Sequence, residues 1–142
     1  MSFLFLHKDN HYTVINDKTS PALEELPQLE KQGFVNFLGK GIEADNIEHA
    51  KFLYLRKMVF GISSGYVFCL YTETGKEVWR SKPREGEGLF SDSAISFVLH
   101  NDKIILGVCG QTLCLCAFTG SEVWSNKLSS MGSAPVRLYI PS

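Results

Sequence analysis

An internal repeat with a period of 45 residues runs through the middle and C-terminal parts of this chain. The first copy covers residues 59–79, the second covers residues 105–124, and both end in Glu-Val-Trp. The positions that match at this spacing are Gly65 and Gly110, Cys69 and Cys114, Leu70 and Leu115, Gly75 and Gly120, Glu77 and Glu122, Val78 and Val123, and Trp79 and Trp124. Such a period is typical of repeated structural units that bury their faces against one another.

Each copy is divided into short β-rich runs by residues that favour turns. In the first copy the predicted strands are residues 52–55, 58–62, 66–71 and 76–79, and residues 97–100 match the first of them in the second copy. Gly65 and Gly75 precede the third and fourth strands, where tight turns require a positive φ. Four hairpin-linked strands at this period are typical of one blade of a β-propeller.

The pattern resembles the pyrroloquinoline-quinone-like (quinoprotein-type) β-propeller repeat, whose blade signature reads roughly Ala-x-Asp-x-x-Thr-Gly-Lys-x-x-Trp. Thr74-Gly75-Lys76-x-x-Trp79 matches its second half, and Thr119-Gly120-Ser121-x-x-Trp124 matches it with serine in place of lysine. Tyr71 and Cys116 stand at the Asp position and depart from the signature. The resemblance implies that each tryptophan packs flat on the neighbouring blade, between a small residue and the glycine peptide. It therefore assigns structural roles to Trp79, Trp124, Gly75, Gly120, Cys69 and Cys114, and we expect both tryptophans to be largely buried.

The length of the chain limits the number of blades. A closed propeller needs about 4 to 8 blades, and 142 residues provide about three at this period. We therefore expect a mainly β fold, a partial β-propeller of two to three four-stranded antiparallel blades. The predicted blades are residues 51–82 and 94–128, and residues 132–142 begin a third with a strand at 136–140. Its open edges would be covered by the termini, by a second copy or by a partner.

Residues 1–50 are expected to form a small N-terminal α+β cap or a degenerate blade. Residues 3–15 predict a hairpin that turns around Lys8-Asp9-Asn10. Ser20-Pro21 is typical of a helix start. We expect Pro27 to interrupt this helix and Gly33 to end it, which leaves one or two short helical turns. Residues 43–49 predict another.

The composition excludes several function classes. A net charge of −1 provides no strong field for nucleic acid or for an anionic membrane. No run approaches the ~20 apolar residues that span a bilayer. The apolar start Met1–Leu6 is too short for a signal peptide. We expect a cytoplasmic protein whose four cysteines are reduced and buried.

Two clusters raise the question of a metal site. His7 and His11 are four residues apart, but they flank a predicted hairpin turn and no third ligand is nearby in the sequence. Cys109, Cys114 and Cys116 lack the Cys-x₂-Cys spacing of zinc sites, so a packed interior face is the simpler interpretation. The quinone cofactor of the resembling family needs a closed ring. We therefore predict no metal and no cofactor.

The sequence favours a non-enzymatic protein-binding module, for example a bacterial immunity protein that inhibits a toxin domain. No catalytic motif is recognised. The predicted partner-binding residues are Arg80, Lys82 and Arg84 in a basic loop, with Arg137 and Tyr139 near the C-terminal end. Two alternatives stay open. One is a small hydrolase or nuclease that uses His7, His11 or His100, and the other is a fragment of a larger β-propeller. Self-association through open blade edges is a further expectation.

Overall fold

The computed structural model of the chain describes residues 1–17, 20–83, 96–108, 110–128 and 136–141, with the backbone alone described at 20–23. These residues form a mainly β protein with two helices and three antiparallel sheets, so the predicted fold class is confirmed at that level. Two compact units are formed, Met1–Val59 with Cys69–Trp79, and Phe60–Phe68 with Arg80–Ser142. Among the described residues, neither helix has the length and apolar character needed to cross a membrane.

The first unit contains a three-stranded sheet. Strand β1 (Ser2–Lys8) pairs with β2 (His11–Asn16) in a hairpin and with the short β3 (Ile42–Glu43) along its other edge. The hairpin turns at Asp9, which has a φ of 52°. The predicted hairpin is thus confirmed, and β1 is the central strand of its sheet.

Strand β1 is buried on both faces, which explains the apolar run at the start of the sequence. Alternate side chains of a strand point to opposite faces. One face packs against helix α1 (Ser20–Lys31) in a cluster made of Leu4, Leu6, Ile15, Leu26, Leu29 and Phe34. On the other face Phe5 stacks on Tyr54 of helix α2 (Ile47–Leu55), with ring centroids 4.1 Å apart. A helix therefore lies on each side of this sheet.

Helix α1 is longer than the sequence predicts. Pro27 lies inside it and does not end it, so the expected interruption is wrong. An interior proline costs about 3 kcal/mol, and the packing of Leu26 and Leu29 on the hairpin offsets that cost. Gly33 ends the helix as predicted. Its φ is 99°, its N–H donates to the Glu30 carbonyl, and the Phe34 N–H donates to the Leu29 carbonyl, which is the Schellman arrangement.

Helix α2 replaces the first predicted strand of the first copy. Residues 52–55 are helical, so that strand prediction is wrong. The helix begins after Asn46, whose side-chain Oδ1 accepts from the His49 N–H at 2.9 Å and caps the first turn. Ala50 and Tyr54, four residues apart, are both buried on the inner face. Helix α2 also crosses residue 50, the predicted border between cap and blades.

The two copies of the repeat form the other two sheets. The first has the order β4-β5-β6, from β4 (Met58–Ser63), β5 (Tyr66–Tyr71) and β6 (Glu77–Ser81). The second has the order β10-β9-β8-β7, from β7 (Ser96–His100), β8 (Lys103–Val108), β9 (Gln111–Cys116) and β10 (Glu122–Asn126). The second copy is thus a four-stranded antiparallel meander, as predicted, whereas the first has three strands preceded by α2.

The turn before the last strand has the same geometry in both copies. Gly75 and Gly120 have φ values of 75° and 76°, and each N–H donates at 2.8 Å to the carbonyl four residues earlier. The Oγ1 atoms of Thr74 and Thr119 each accept from the N–H two residues later at 3.2 Å. Positive φ is the conformation that glycine adopts without strain. The threonine and glycine of the repeat therefore encode one and the same turn.

A hydrogen bond between more distant segments also repeats. The Thr72 N–H donates to the Lys57 carbonyl at 3.0 Å, and the Ala117 N–H donates to the Asp102 carbonyl at 2.8 Å. Donors and acceptors are each 45 residues apart, which is the period of the sequence. The sequence repeat is therefore a structural repeat.

The C-terminal segment does not begin a third blade with a strand. Residues 136–141 have no regular secondary structure, so the strand predicted at 136–140 is wrong. Ser96 of β7 donates through its Oγ to the Val136 carbonyl at 2.5 Å, and the Val136 side chain approaches Gly107 of β8. The Val136 carbonyl thus accepts from a side chain of β7, and residues 136–141 form no backbone ladder with that strand. Residues 94–95 and 132–135 of the predicted blades lie outside the described residues.

Candidate protein-binding site

Equivalent positions of the two copies differ sharply in exposure. Val78 and Trp79 in β6 are 7% and 3% exposed, whereas Val123 and Trp124 in β10 are 49% and 45% exposed. The expectation that both tryptophans are largely buried is therefore confirmed for Trp79 and wrong for Trp124. The turn geometry before the two strands is the same, so the difference arises after the turn, where the register of β10 shifts at Val123. Among the residues that the structure describes, Val123 and Trp124 are thus much less covered than Val78 and Trp79.

Strand β10 is the edge of its sheet and is exposed along its whole length. Its register against β9 shifts at Val123, because Glu122 lies opposite Leu115 and Trp124 lies opposite Cys114. Two residues of β10 thus span one step of β9, which is a β-bulge. Edge strands with large exposed apolar side chains are typical contact sites for other proteins. We therefore take β10, with Val123 and Trp124, as the candidate protein-binding site.

A second surface feature combines two predicted partner-binding residues with an aromatic ring. The Arg80 guanidinium carbon lies 5.6 Å and the Lys82 Nζ 5.5 Å from the ring centroid of Tyr66. Contacts of this kind contribute about 0.5–1 kcal/mol at exposed sites. The structure thus brings Arg80 and Lys82 together on Tyr66, which the sequence analysis did not single out. Arg84 lies outside the described residues.

The other two predicted partner-binding residues lie in a different place. Arg137 and Tyr139 are exposed, and Tyr139 has 84% of its surface in solvent. Their segment is attached to the β7–β8 side of the sheet through Val136, whereas β10 forms the opposite edge. Exposure is compatible with a binding role for both residues, but they do not extend the β10 surface.

The histidines proposed for a hydrolase differ in their surroundings. His11 and His100 are exposed, whereas His7 is 3% exposed and its Nε2 lies 2.7 Å from the Tyr54 hydroxyl. Burial lowers the pKa of His7 from 6.5 to about 4 and raises that of Tyr54. The His7 Nδ1 is also buried and has no hydrogen-bond partner in the described part of the chain. His7 therefore has the surroundings of an uncharged core residue.

The described cysteines, Cys69, Cys114 and Cys116, are free thiols; Cys69 and Cys114 are buried as expected, whereas Cys116 is only half-buried. Burial raises the pKa of Cys69 to about 12 and also raises the pKa of Cys114. Cys109 lies outside the described residues. Within those residues, no group of three or more histidine, cysteine or acidic side chains is placed to hold a metal ion.

These thiols lead to a testable prediction. In the folded protein at about pH 8, Cys69 and Cys114 should react with Ellman's reagent only upon unfolding, because both are buried and stay protonated. Titration in denaturant without reductant should count four thiols, since the sequence has four cysteines. Cys116→Ser should remove the most reactive described thiol. A count of two or none would contradict the assignment of reduced cysteines.

Comparison with known proteins adds no relative. The chain matches no protein-family model, and no curated protein sequence matches it significantly. The internal repeat and the exposed residues are therefore the features of the molecule that indicate a function.

Proposed function

We propose that this chain is a non-enzymatic protein-binding module, a partial propeller whose last blade presents strand β10 to another protein. The observation that carries the proposal is the contrast between the buried pair Val78 and Trp79 and the exposed pair Val123 and Trp124. In a stack of repeats each unit covers the face of its neighbour. The exposed strand β10 offers a surface that a further repeat or a partner would cover.

The exposed residue types support this proposal. Tryptophan, tyrosine and arginine dominate the binding energy of many protein interfaces. Trp124 in β10 and Arg80 with Tyr66 in the cation–aromatic cluster supply all three types in the second unit. A partner that offers an apolar patch together with carboxylate groups would complement them.

The partner class that we favour is a single protein held in a dedicated complex. A toxin domain neutralised by an immunity protein is an example of such a complex. The support for this part of the proposal is that no catalytic motif is recognised in the sequence. Identifying the captured protein by mass spectrometry is the measurement that decides it.

The exposure of Trp124 also favours a second candidate, a segment of a larger β-propeller in which the next blade covers β10. An immunoblot of the organism that makes the protein separates the two candidates. A band near 15.9 kDa supports the stand-alone module. A band of much higher mass supports the larger propeller, provided that its intensity falls when the gene for this chain is disrupted.

A photo-crosslinking amino acid at position 123 tests the binding module. Val59 provides a matched control, because it is also a valine on an edge strand and is 47% exposed against 49% for Val123. We expect a discrete crosslinked adduct from position 123, made in the native host and resolved by gel electrophoresis, and little or none from position 59. The interface should exclude water around Val123 and bring partner atoms within reach of the probe.

Two results would contradict the proposal. One is the absence of an adduct at position 123 when the protein is folded and the probe is active. Crosslinking of the same probe to an added peptide shows that it is active. The other is an equal pattern of adducts at both positions, since that would show non-specific contact. An adduct at twice the mass of the chain would identify the partner as a second copy.

A further inference from the structure

A cleft of about 430 Å³ lies in the first unit and is lined entirely by residues of that unit. One wall is the segment that leads into β3, and the other is the C-terminal end of α2 with the residues that follow it. Its apolar lining comes from Leu38, Ile42 and Leu53. Ile42 is buried and the two leucines are half-buried, so the cleft exposes a hydrocarbon surface. Ligand sites in proteins commonly have volumes of about 300–1,000 Å³ and a mainly apolar lining.

The same cleft has an excess of positive charge. Lys40, Arg56 and Lys57 line it, against a single carboxylate, Glu43. The end of α2 adds about half a negative charge, which leaves the lining net positive. In the described part of the chain no carboxylate forms an ion pair with any of the three basic side chains. The three cationic groups of the cleft are therefore offset only in part, by Glu43 and by the end of α2.

One of the cations is also held in place. The Arg56 guanidinium carbon lies 5.5 Å from the ring centroid of Phe52, one turn earlier on the same helix. The backbone at this point is fixed by the Lys57 N–H, which donates to the Tyr54 carbonyl at 3.0 Å, and by the Lys57 carbonyl, which accepts from Thr72. Basic groups that are positioned before a ligand arrives lose less conformational entropy on binding.

We propose that this cleft binds a small organic anion with an apolar portion. A carboxylate or phosphate monoester head would contact Lys40, Arg56 and Lys57, and a hydrocarbon body would cover Leu53 and Ile42. Arginine and lysine recognise both kinds of head group by charge-assisted hydrogen bonds. This site is independent of strand β10 and of the protein-binding function.

Nuclear magnetic resonance titration of the full chain tests the proposal with three probes. Phenyl phosphate has the charged head and the apolar ring, inorganic phosphate has only the head, and benzyl alcohol has only the ring. We expect phenyl phosphate to cause saturable shifts in the amide signals of Gly41, Leu53 and Lys57. The other two probes should bind at least about tenfold more weakly, because each lacks one part of the contact.

Paired charge variants identify the cationic groups. Arg56→Gln with Lys57→Gln should raise the dissociation constant for phenyl phosphate about tenfold. The control, Lys8→Gln with Lys31→Gln, removes the same two charges at exposed positions that do not line the cleft and should change the constant by less than about twofold. Lys40→Gln lies in a loop, leaves α2 intact and should weaken binding about threefold.

Several results would overturn the proposal. One is the absence of saturable shifts at Gly41, Leu53 and Lys57 with phenyl phosphate. Another is that inorganic phosphate or benzyl alcohol binds as tightly as phenyl phosphate. A third is that the two double variants weaken phenyl phosphate binding to the same extent. If the Arg56–Lys57 double variant loses its dispersed spectrum, Lys40→Gln decides the question, and an unchanged dissociation constant there counts against the site.

Discussion

Trp79→Ala should lower the free energy of unfolding by about 3–5 kcal/mol, the usual cost of truncating a buried tryptophan. Trp79 is 3% exposed, and the adjacent Val78 is also buried, so the removed ring would leave a cavity that its neighbours fill only in part. Denaturation in urea, followed by circular dichroism, measures the change from the shift of the midpoint at constant slope.

The equivalent substitution in the second copy provides the matched control. Trp124→Ala should cost no more than about 2 kcal/mol, because Trp124 is 45% exposed and loses less buried area. The two variants delete the same side chain after the same Thr-x-x-Glu-Val motif. Equal losses of stability would contradict the difference in burial, and an unchanged midpoint in Trp79→Ala would contradict the core position of β6.

Acidification should destabilise the protein through His7. The pKa of His7 is lowered by burial from 6.5 to about 4, so the unfolded chain takes up a proton in a range of pH where the folded protein does not. The contribution of neutral His7 to the free energy of unfolding is therefore fully present above pH 6.5. It falls as the pH decreases from 6.5 towards 4 and changes little below that. Complete loss of this contribution lowers the free energy of unfolding by about 3 kcal/mol.

The comparison of two histidine variants isolates this effect from the titration of carboxylates. The free energy of unfolding is measured at several pH values between about 4 and 7.5 in the wild type, in His7→Gln and in His11→Gln. His11 lies in the same hairpin and is exposed. We expect His7→Gln to flatten the pH dependence and His11→Gln to leave it close to that of the wild type. Parallel curves for all three proteins would refute the assignment to His7.

The parts of the fold that could be predicted from the sequence are those fixed by local chemistry. Strand β5 has the predicted bounds, and Gly75 and Gly120 have the positive φ that their turns require. The Thr-Gly-x-Glu-Val-Trp pattern is informative because its first two residues bond to nearby backbone. The threonine Oγ1 accepts from the N–H two residues later, and the glycine N–H donates to the carbonyl four residues earlier. Such interactions do not depend on what lies elsewhere in the chain.

The errors arose where tertiary packing or repeat analogy outweighed a local preference. Residues 52–55 were assigned to a strand because they match 97–100 of the second copy, although the Asn46 cap and the buried pair Ala50 and Tyr54 favour a helix. Pro27 is predicted to interrupt α1, but the apolar face of α1 packs on the hairpin and the helix continues through it. The repeated residues thus specify the same turns in both copies, whereas the first element of each copy differs, a helix in one and a strand in the other.

The candidate binding site could be predicted only in part. The sequence identified Trp124 as equivalent to Trp79, but the register shift at Val123 and the exposure of β10 are not indicated by the matching residues of the repeat. Arg80 and Lys82 were recognised as a basic pair, and their common contact with Tyr66 depends on strand pairing across β5 and β6. The basic cleft has residues drawn from two separate segments, and no local pattern indicates it.

The register shift at Val123 has a consequence for the behaviour of the protein at high concentration. Fibrils grow when flat strands stack without limit, each chain continuing the ladder of the one before it. A kinked terminal strand interrupts that regular spacing, so growth by this route is disfavoured even though the strand carries a valine and a tryptophan in solvent. If β10 binds a partner as proposed, the kink would separate that binding from polymerisation through the same strand.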